Sequence, residues 1–476
     1  MRLFRLRGGI HPEARKERSR DSAIVAMPLP AALYIPLRQH IGEAAELVVA
    51  EGQQVGKGEL VARSQGSVSA AQHAPTSGRI RAITHVVAPH ASGLLQTTIV
   101  LEPDGEDAWA PLPAPIADPL SAPPEVLTAR VAACGIVGLG GAAFPSAVKL
   151  DQGLAYAPDI LLVNGAECEP YLTCDDRIMR EHAAEVIDGA RIMAHTIGAR
   201  EIIVAIERNK PQALAAIGAA ARGIAGLRVV ALPARYPMGS AQHLVRCVTG
   251  RETPADRRTA ETGVVVHNVA TARAVHEAVR LGRPLIARVV TVSGGAIRTP
   301  RNVCAPIGAR IADLVAFCGG YAEAPRRVIN GGPLMGHPLP SLDAPVVKGT
   351  SGILALVAHE VSERPANPCI RCGSCVSVCP SGLVPAEMAA LIRKDDLEGA
   401  ARLGVKDCIA CGSCAWVCPS HIQLVRYFSY AKGALAAQAR EQRQNEQTRR
   451  LAEARLARLK RQAEADRAAQ TDEAAA

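Results

Sequence analysis

Aromatic side chains make up only 3% of this 476-residue chain, with two tryptophans and four phenylalanines. Binders of single-stranded nucleic acid stack bases on aromatic platforms, so that class fits poorly. Long apolar runs are also missing. Stretches such as residues 353–358 fall far short of the roughly 18 apolar residues that span a bilayer. Residues 1–20 contain no apolar segment of the kind a secretory signal needs, so no signal peptide is expected there. Net charge is absent from the body of the chain. Of the +9 overall, residues 1–20 contribute seven Lys/Arg against two Asp/Glu and residues 426–476 eleven against seven, leaving 36 of each between. A neutral body excludes a basic nucleic-acid face. Basic ends suit an anionic membrane surface or acidic partners, and the plainer account is solubility of frayed ends. A chain without signal or span is expected in the cytoplasm, where thiols ligate metals more often than they pair.

Cysteine is what the chain does have. Eight of its fourteen cysteines form two runs, Cys369-x2-Cys372-x2-Cys375-x3-Cys379-Pro380 and Cys408-x2-Cys411-x2-Cys414-x3-Cys418-Pro419. Three thiolates from one turn cap three irons of a cubane, and the fourth cysteine reaches the other cluster. Cys369, Cys372, Cys375 and Cys418 are therefore assigned to one [4Fe–4S] cluster, and Cys408, Cys411, Cys414 and Cys379 to the second. Zinc knuckles share the C-x2-C unit but usually lack the third cysteine and the Cys-Pro ending. Residues 385–394, between the runs, read as a helix with proline near its start, which favours a helical dicluster ferredoxin arrangement. Two clusters in series carry single electrons, so any two-electron donor needs a further group. The thirteen histidines show no metal-binding spacing.

Upstream the pattern changes twice. Residues 30–110 read as short strands punctuated by Gly and Pro, an all-β unit. Its segment 51–80 resembles the biotinyl/lipoyl carrier sandwich through Gly52, Val55, Gly58, Leu60 and Ala74-Pro75 to Gly78, with Ser67 near the place of the missing carrier lysine. A proline-rich linker spans 111–124. Residues 121–285 then alternate Val/Ile-rich strands (160–163, 201–206, 227–232, 264–266) with helical stretches (183–197, 211–221, 240–248, 271–281), the mark of a parallel sheet covered on both faces. Residues 286–350 return to strands and turns, 360–430 carry the cysteines, and 431–476 read as a charged, solvated helix without heptads.

Two loops in the α/β region carry chemistry. Gly138-Leu-Gly-Gly-Ala-Ala-Phe-Pro-Ser-Ala-Val-Lys149 clusters glycines, which let backbone N–H groups approach a phosphate, and ends in a lysine. It is neither a P-loop nor a G-x-G-x-x-G turn, and a tight structural turn is its bland reading. Asn164-Gly-Ala-Glu-Cys-Glu-Pro170 follows a strand, where open α/β sheets place ligands; a salt-bridged loop is the alternative there.

Together these residues resemble a known family. Residues 125–350 are similar to the flavin-bearing, NADH-binding subunit of respiratory complex I. The chain over 8–430 resembles the C subunits of the Rnf (Rsx) electron-transport complexes, also through Gly8-Gly9-Ile10-His11-Pro12, residues 35–42, His73-Ala-Pro-Thr-Ser-Gly78 and Gly331-Gly-Pro-Leu-Met-Gly336. The resemblance implies a multidomain α/β and β protein: a barrel-sandwich hybrid, a complex I-type FMN-binding α/β domain, a β-grasp ligand-binding module at 286–350, a helical dicluster ferredoxin domain and a charged C-terminal helix. It implies that Gly138, Gly140, Gly141 and Lys149 contact the FMN phosphate, that Phe144 faces nicotinamide, and that Asn164, Tyr236, Gly239, Asn268 and Thr271 border the cofactor. Glu167 and Glu169 are the implied catalytic pair. The sequence departs from the resembled pattern at Leu139 (arginine), Ala166 (aspartate) and Ser240-Ala241 (a glutamate pair), losses that fall on the nucleotide side. Two functions follow as expectations. In one, a peripheral subunit on the cytoplasmic side of the inner membrane passes electrons between NADH and ferredoxin through FMN and two [4Fe–4S] clusters, in complex with other Rnf/Rsx subunits. In the other, a non-catalytic iron–sulfur scaffold takes electrons from a separate flavoprotein.

Overall fold

The protein is described by a computed structural model covering residues 3–255 and 257–475; Met1, Arg2, Asp256 and Ala476 lie outside the described residues, as do side chains beyond 464. The chain forms two compact units, one of residues 1–365 with 411–413, the other of 366–410 and 414–476.

The first unit begins with an N-terminal arm and a β-sandwich. One antiparallel sheet orders Leu33–Pro36, Leu95–Pro103, Gly78–Val87 and Gln54–Val55; the other orders Glu46–Leu47, Leu60–Arg63 and Gln72–His73. Alternation at period two turns Leu33, Ile35, Ile99 and Leu101 inward, where all four are fully buried. Ser67 sits in an exposed bend after Leu60–Arg63.

The α/β domain is a four-stranded parallel sheet ordered Leu227–Leu232, Glu201–Glu207, Ile160–Gly165, Val264–Asn268. Its central strands are buried almost throughout, as unbroken Val/Ile/Leu runs require. Helices Ala183–Ile197 and Val269–Leu281 pack side by side, so close to each other that a Cβ at Gly189 would collide with the Ala272 carbonyl. The chain builds outward from Ile160–Gly165 in one direction, then returns to lay Val264–Asn268 on its other side. That reversal creates a crevice beyond the carboxyl ends of two neighbouring strands. Asn164 and Asn268 are paired in register there.

A mixed six-stranded sheet follows, ordered Ile24–Ala26, Arg301–Pro306, Ala287–Ser293, Gly352–Leu356, Arg327–Asn330, His337–Pro338. Helix Ile311–Phe317 packs on it through Ile311, Leu314 and Val315. The strands within 286–350 are thus joined by segments from the N-terminal arm and from beyond residue 350.

The second unit is helical. Helices Pro385–Arg393 and Leu397–Arg402 lie between the two cysteine runs, and Asp396 caps the latter by accepting from the Gly399 N–H at 2.7 Å. Leu424, Phe428 and Ala431, spaced for one helix face, bury the start of the 52-residue helix Leu424–Ala475 against Met388, Ile392 and Ala400. The helix therefore begins inside the cluster-binding core, ahead of the charged tail it continues into.

Candidate cofactor sites

The glycine loop closes on itself before helix Ser146–Tyr156. The Gly138 N–H donates to the Phe144 carbonyl at 2.8 Å, and the Ala143 N–H to the Gly138 carbonyl at 3.1 Å. Leu139 is held at both ends. Its N–H donates to Thr271 Oγ1 at 2.9 Å, and its carbonyl accepts from Arg288 Nη2 at 3.1 Å. The tip then runs out exposed. Gly140 leans on Asn268, with only 3.4 Å between an added Cβ and the Asn268 Cβ. Gly141, at φ +101°, faces open space. Glycine supplies that conformation at no steric cost.

Lys149 points from the helix to the Val266 carbonyl at the end of its strand. Among the described residues no carboxylate pairs with it, and burial pushes its ammonium down to about 8. Burial and the nearby Lys149 charge also hold the enclosed His267 well below the usual imidazole range, with Nε2 unpartnered. A buried cation without a counter-anion, on the helix that follows an open glycine backbone, suits an anionic phosphate.

The acidic loop lies across the crevice. Asn164 accepts from the Ala166 N–H at 3.0 Å and donates to the Gly239 carbonyl at 2.9 Å, which fixes its amide. Asn268 caps helix Val269–Leu281 through Oδ1 and donates from Nδ2 to Asp175 Oδ2 at 2.6 Å. Glu167 and Glu169 are not free carboxylates. Glu167 accepts from the Asp175 and Asp176 N–H groups at 2.7 and 3.3 Å, at the start of helix Cys174–Glu181. Glu169 accepts from the Leu334 and Met335 N–H groups at 3.1 and 2.9 Å, tying the loop to the Gly331–Gly336 turn, and the buried Tyr236 hydroxyl donates to it at 3.4 Å. Burial pushes both carboxyls up to about 7. Glu167, Cys174 and Asp175 bring ligand atoms within 4.8 Å of one another. Both carboxylates already have amide partners, so the grouping serves the helix start.

Sequence reading missed three buried cations. Lys210 donates to the Ala166 carbonyl at 2.6 Å and to Glu207 at 3.0 Å. Lys16 donates to the Glu167 and Leu172 carbonyls at 2.7 and 2.5 Å. Arg288 holds Leu139. No local motif marks them, because each acts on a loop distant in sequence. The departures from the resembled pattern are packed in: Ala166 is fully buried beside Leu162 and Met238, and Ser240 Oγ meets His243 Nδ1 at 2.9 Å.

In the second unit a cavity of about 640 Å³ is lined by Cys369, Cys372, Cys375 and Cys418. The two cysteine runs repeat the same local backbone. Arg371 and Ala410 have φ of 55° and 53°, Gly373 and Gly412 of 76° and 79°. The Arg371 N–H donates to Cys369 Sγ and the Ala410 N–H to Cys408 Sγ, both at 3.4 Å. Such N–H groups stabilise thiolate sulfur, the ligand form in an iron–sulfur cluster. All fourteen cysteines are free of disulfides, and the four-thiol set with its two repeated loops fits [4Fe–4S] chemistry.

Comparison with known proteins agrees with these parts. Residues 4–106 match the RnfC barrel sandwich hybrid domain, 131–277 the Nuo51 FMN-binding domain, 289–338 the SLBB domain and 363–419 the 4Fe-4S dicluster domain. The C subunit of the ion-translocating oxidoreductase complex of Rhodobacter capsulatus is 54% identical over 437 residues, covering 92% of this chain and 84% of that protein. The chain belongs to the RnfC family. Family members from Pseudomonas aeruginosa and Serratia proteamaculans are 47% and 42% identical over 96% and 97% of this chain, which spans 59% and 65% of their lengths. A solved NAD+-reducing [NiFe]-hydrogenase aligns at 20% identity over 65% of this chain and 62% of its own, with a TM-score of 0.49, too partial a likeness to carry chemistry. The family's FMN-binding and 4Fe-4S domains are thus both present, and their cofactors are FMN and [4Fe–4S] clusters.

Proposed function

We propose that this RnfC-family protein passes electrons between NADH and ferredoxin-type carriers, through FMN and two [4Fe–4S] clusters, in an ion-translocating oxidoreductase complex. The observation that carries the reading is one chain holding both a paired cysteine constellation and a switch-point crevice whose buried ammonium lacks an anion. Bound FMN supplies the conversion between two-electron hydride chemistry and single-electron transfer.

The chain's own residues supply position and electrostatics. The backbone at Gly138, Gly140 and Gly141 and the Lys149 ammonium would hold the phosphate. Asn164 and Asn268 present oriented amides at the crevice, Thr271, Tyr236 and Gly239 would border the cofactor, and Phe144 would be the aromatic partner of nicotinamide. Glu167 and Glu169, raised towards neutrality, can each hold a proton at a carboxyl oxygen near pH 7. Cys369, Cys372, Cys375 and Cys418 would ligate one cluster, and Cys408, Cys411, Cys414 and Cys379 the other.

The finer architecture belongs to the same reading: sandwich over 30–110, FMN domain over 121–285, β-grasp ligand-binding module over 286–350, cluster domain over 360–430 and helical tail over 431–476. No helix among the described residues is long and apolar enough to cross a membrane. We place the chain peripherally, on the cytoplasmic side of the inner membrane, held by the other members of the complex.

The test is anaerobic reconstitution of the full chain with iron, sulfide and FMN. Stoichiometric flavin and NADH-dependent reduction of an artificial acceptor are expected, and lack of both would sink the dehydrogenase reading. The buried, apolar surroundings of Ala166 favour one second reading, an iron–sulfur relay fed by a separate flavoprotein. Full cluster content without flavin would select it.

A further inference from the structure

The two loops of the flavin crevice are gripped from outside the sheet domain that bears them. Arg288 comes from strand Ala287–Ser293 of the neighbouring six-stranded sheet and is 3% exposed. Its guanidinium donates from Nη2 to the Leu139 carbonyl and from Nε to the Thr350 carbonyl, each at 3.1 Å. With Thr271 already holding the Leu139 N–H, both peptide groups flanking Leu139 are oriented. The Gly140 N–H shares a peptide plane with the Leu139 carbonyl, so its direction follows from that. Lys16 comes from the N-terminal arm and is 9% exposed. It takes the Glu167 and Leu172 carbonyls and stands 3.7 Å from Glu167 Oε2.

Glu167 adopts φ +49°, a left-handed conformation that a non-glycine side chain keeps only when its surroundings impose it. The arm is itself pinned. The Tyr171 N–H donates to the Ala14 carbonyl at 2.8 Å, Ser19 Oγ meets Thr173 Oγ1 at 2.9 Å, and Asn302 Nδ2 donates to the Ser19 carbonyl at 3.0 Å. Each cation is buried and acts on a backbone carbonyl of one of the two loops.

We propose that Lys16 and Arg288 are positioning residues of the flavin site, one locking the acidic loop and the other the glycine loop, so that FMN binding depends on the N-terminal arm and the neighbouring sheet as well as on the sheet domain. This rests on the FMN reading above. Charged donors are the suited choice, because a buried carbonyl bonded to a cation is held more firmly than by a neutral donor. The Arg288 guanidinium also favours the extra negative charge of reduced flavin, and Lys16 offsets the Glu167 carboxylate behind the acidic loop.

The experiment compares the full, cluster-loaded wild-type chain with Arg288→Met, Arg288→Lys and Lys16→Met, after thermal melts establish folding. FMN affinity is read from flavin fluorescence and the flavin midpoint potential from spectroelectrochemical titration. Arg288→Met and Lys16→Met are each expected to weaken FMN binding about tenfold or more, the effect of losing one charge-assisted hydrogen bond. Both should move the potential to more negative values. Arg288→Lys, which can restore one of the two hydrogen bonds, should recover part of both. Folded variants that match wild-type affinity and potential would overturn the proposal. If Arg288→Met does not fold, Lys16→Met alone decides by the same criteria. Failure of the wild-type chain itself to bind FMN would instead overturn the flavin reading, and this proposal with it.

Discussion

Asn268 does two jobs with one amide, and a swap can separate them. Its Oδ1 accepts from the Ala270 N–H at 2.8 Å and so caps helix Val269–Leu281; its Nδ2 donates to the buried Asp175 at 2.6 Å. In Asn268→Asp the cap acceptor survives, since Asp and Asn cap about equally well. The donor to Asp175 is lost, and two enclosed carboxylates face each other. Loss of a hydrogen bond to a charged group costs about 1.5–3 kcal/mol, and one of the two acids must then retain a proton. Global unfolding of a chain with two compact units is not a two-state event, so the assay is hydrogen exchange over residues 269–281 and the neighbouring strand. A loss of about 2 kcal/mol corresponds to roughly 30-fold faster exchange by local opening. The double variant Asn268→Asp with Asp175→Asn restores a donor facing an acceptor and should recover most of that protection. Wild-type exchange in the single variant, or no recovery in the double, would refute the account of the crevice wall.

Other outcomes follow from the buried charges and the clusters. Lys149 carries a base lowered from 10.5 to about 8, so flavin-free protein should gain stability as pH rises from about 8 to 10.5. Lys149→Met should remove that slope and stabilise the flavin-free domain at pH 7 by up to about 3 kcal/mol, while weakening FMN binding. Glu169 carries an acid raised from 4.5 to about 7, so it retains its proton longer in the folded state and stability falls as pH climbs through that window, again by up to about 3 kcal/mol. Glu169→Gln should flatten that dependence in pH-resolved melts. Cys372→Ser should abolish one [4Fe–4S] electron paramagnetic resonance signal and leave the other; loss of neither would overturn the ligand assignment.

The parts whose physics is local were legible in the order of the residues. Thiolate spacing settles how a turn can cap three irons, so the two cysteine runs read directly as a dicluster domain. Unbroken Val/Ile runs between helices required a doubly covered parallel sheet, and alternation with Gly and Pro marked the sandwich. The glycine loop and the strand-end asparagine were legible because backbone access to a phosphate needs glycine wherever it occurs. What stands behind those loops comes from packing between distant segments. It paired Asn164 with Asn268 across the strand-order reversal, which depends on where the fourth strand docks. It gave Glu167 and Glu169 amide partners, a matter of which turns approach them. It brought Lys16 and Arg288, remote in the chain, under the loops they hold. A buried cation is specified by its enclosure and by the carbonyls it meets, and the folded surroundings create both.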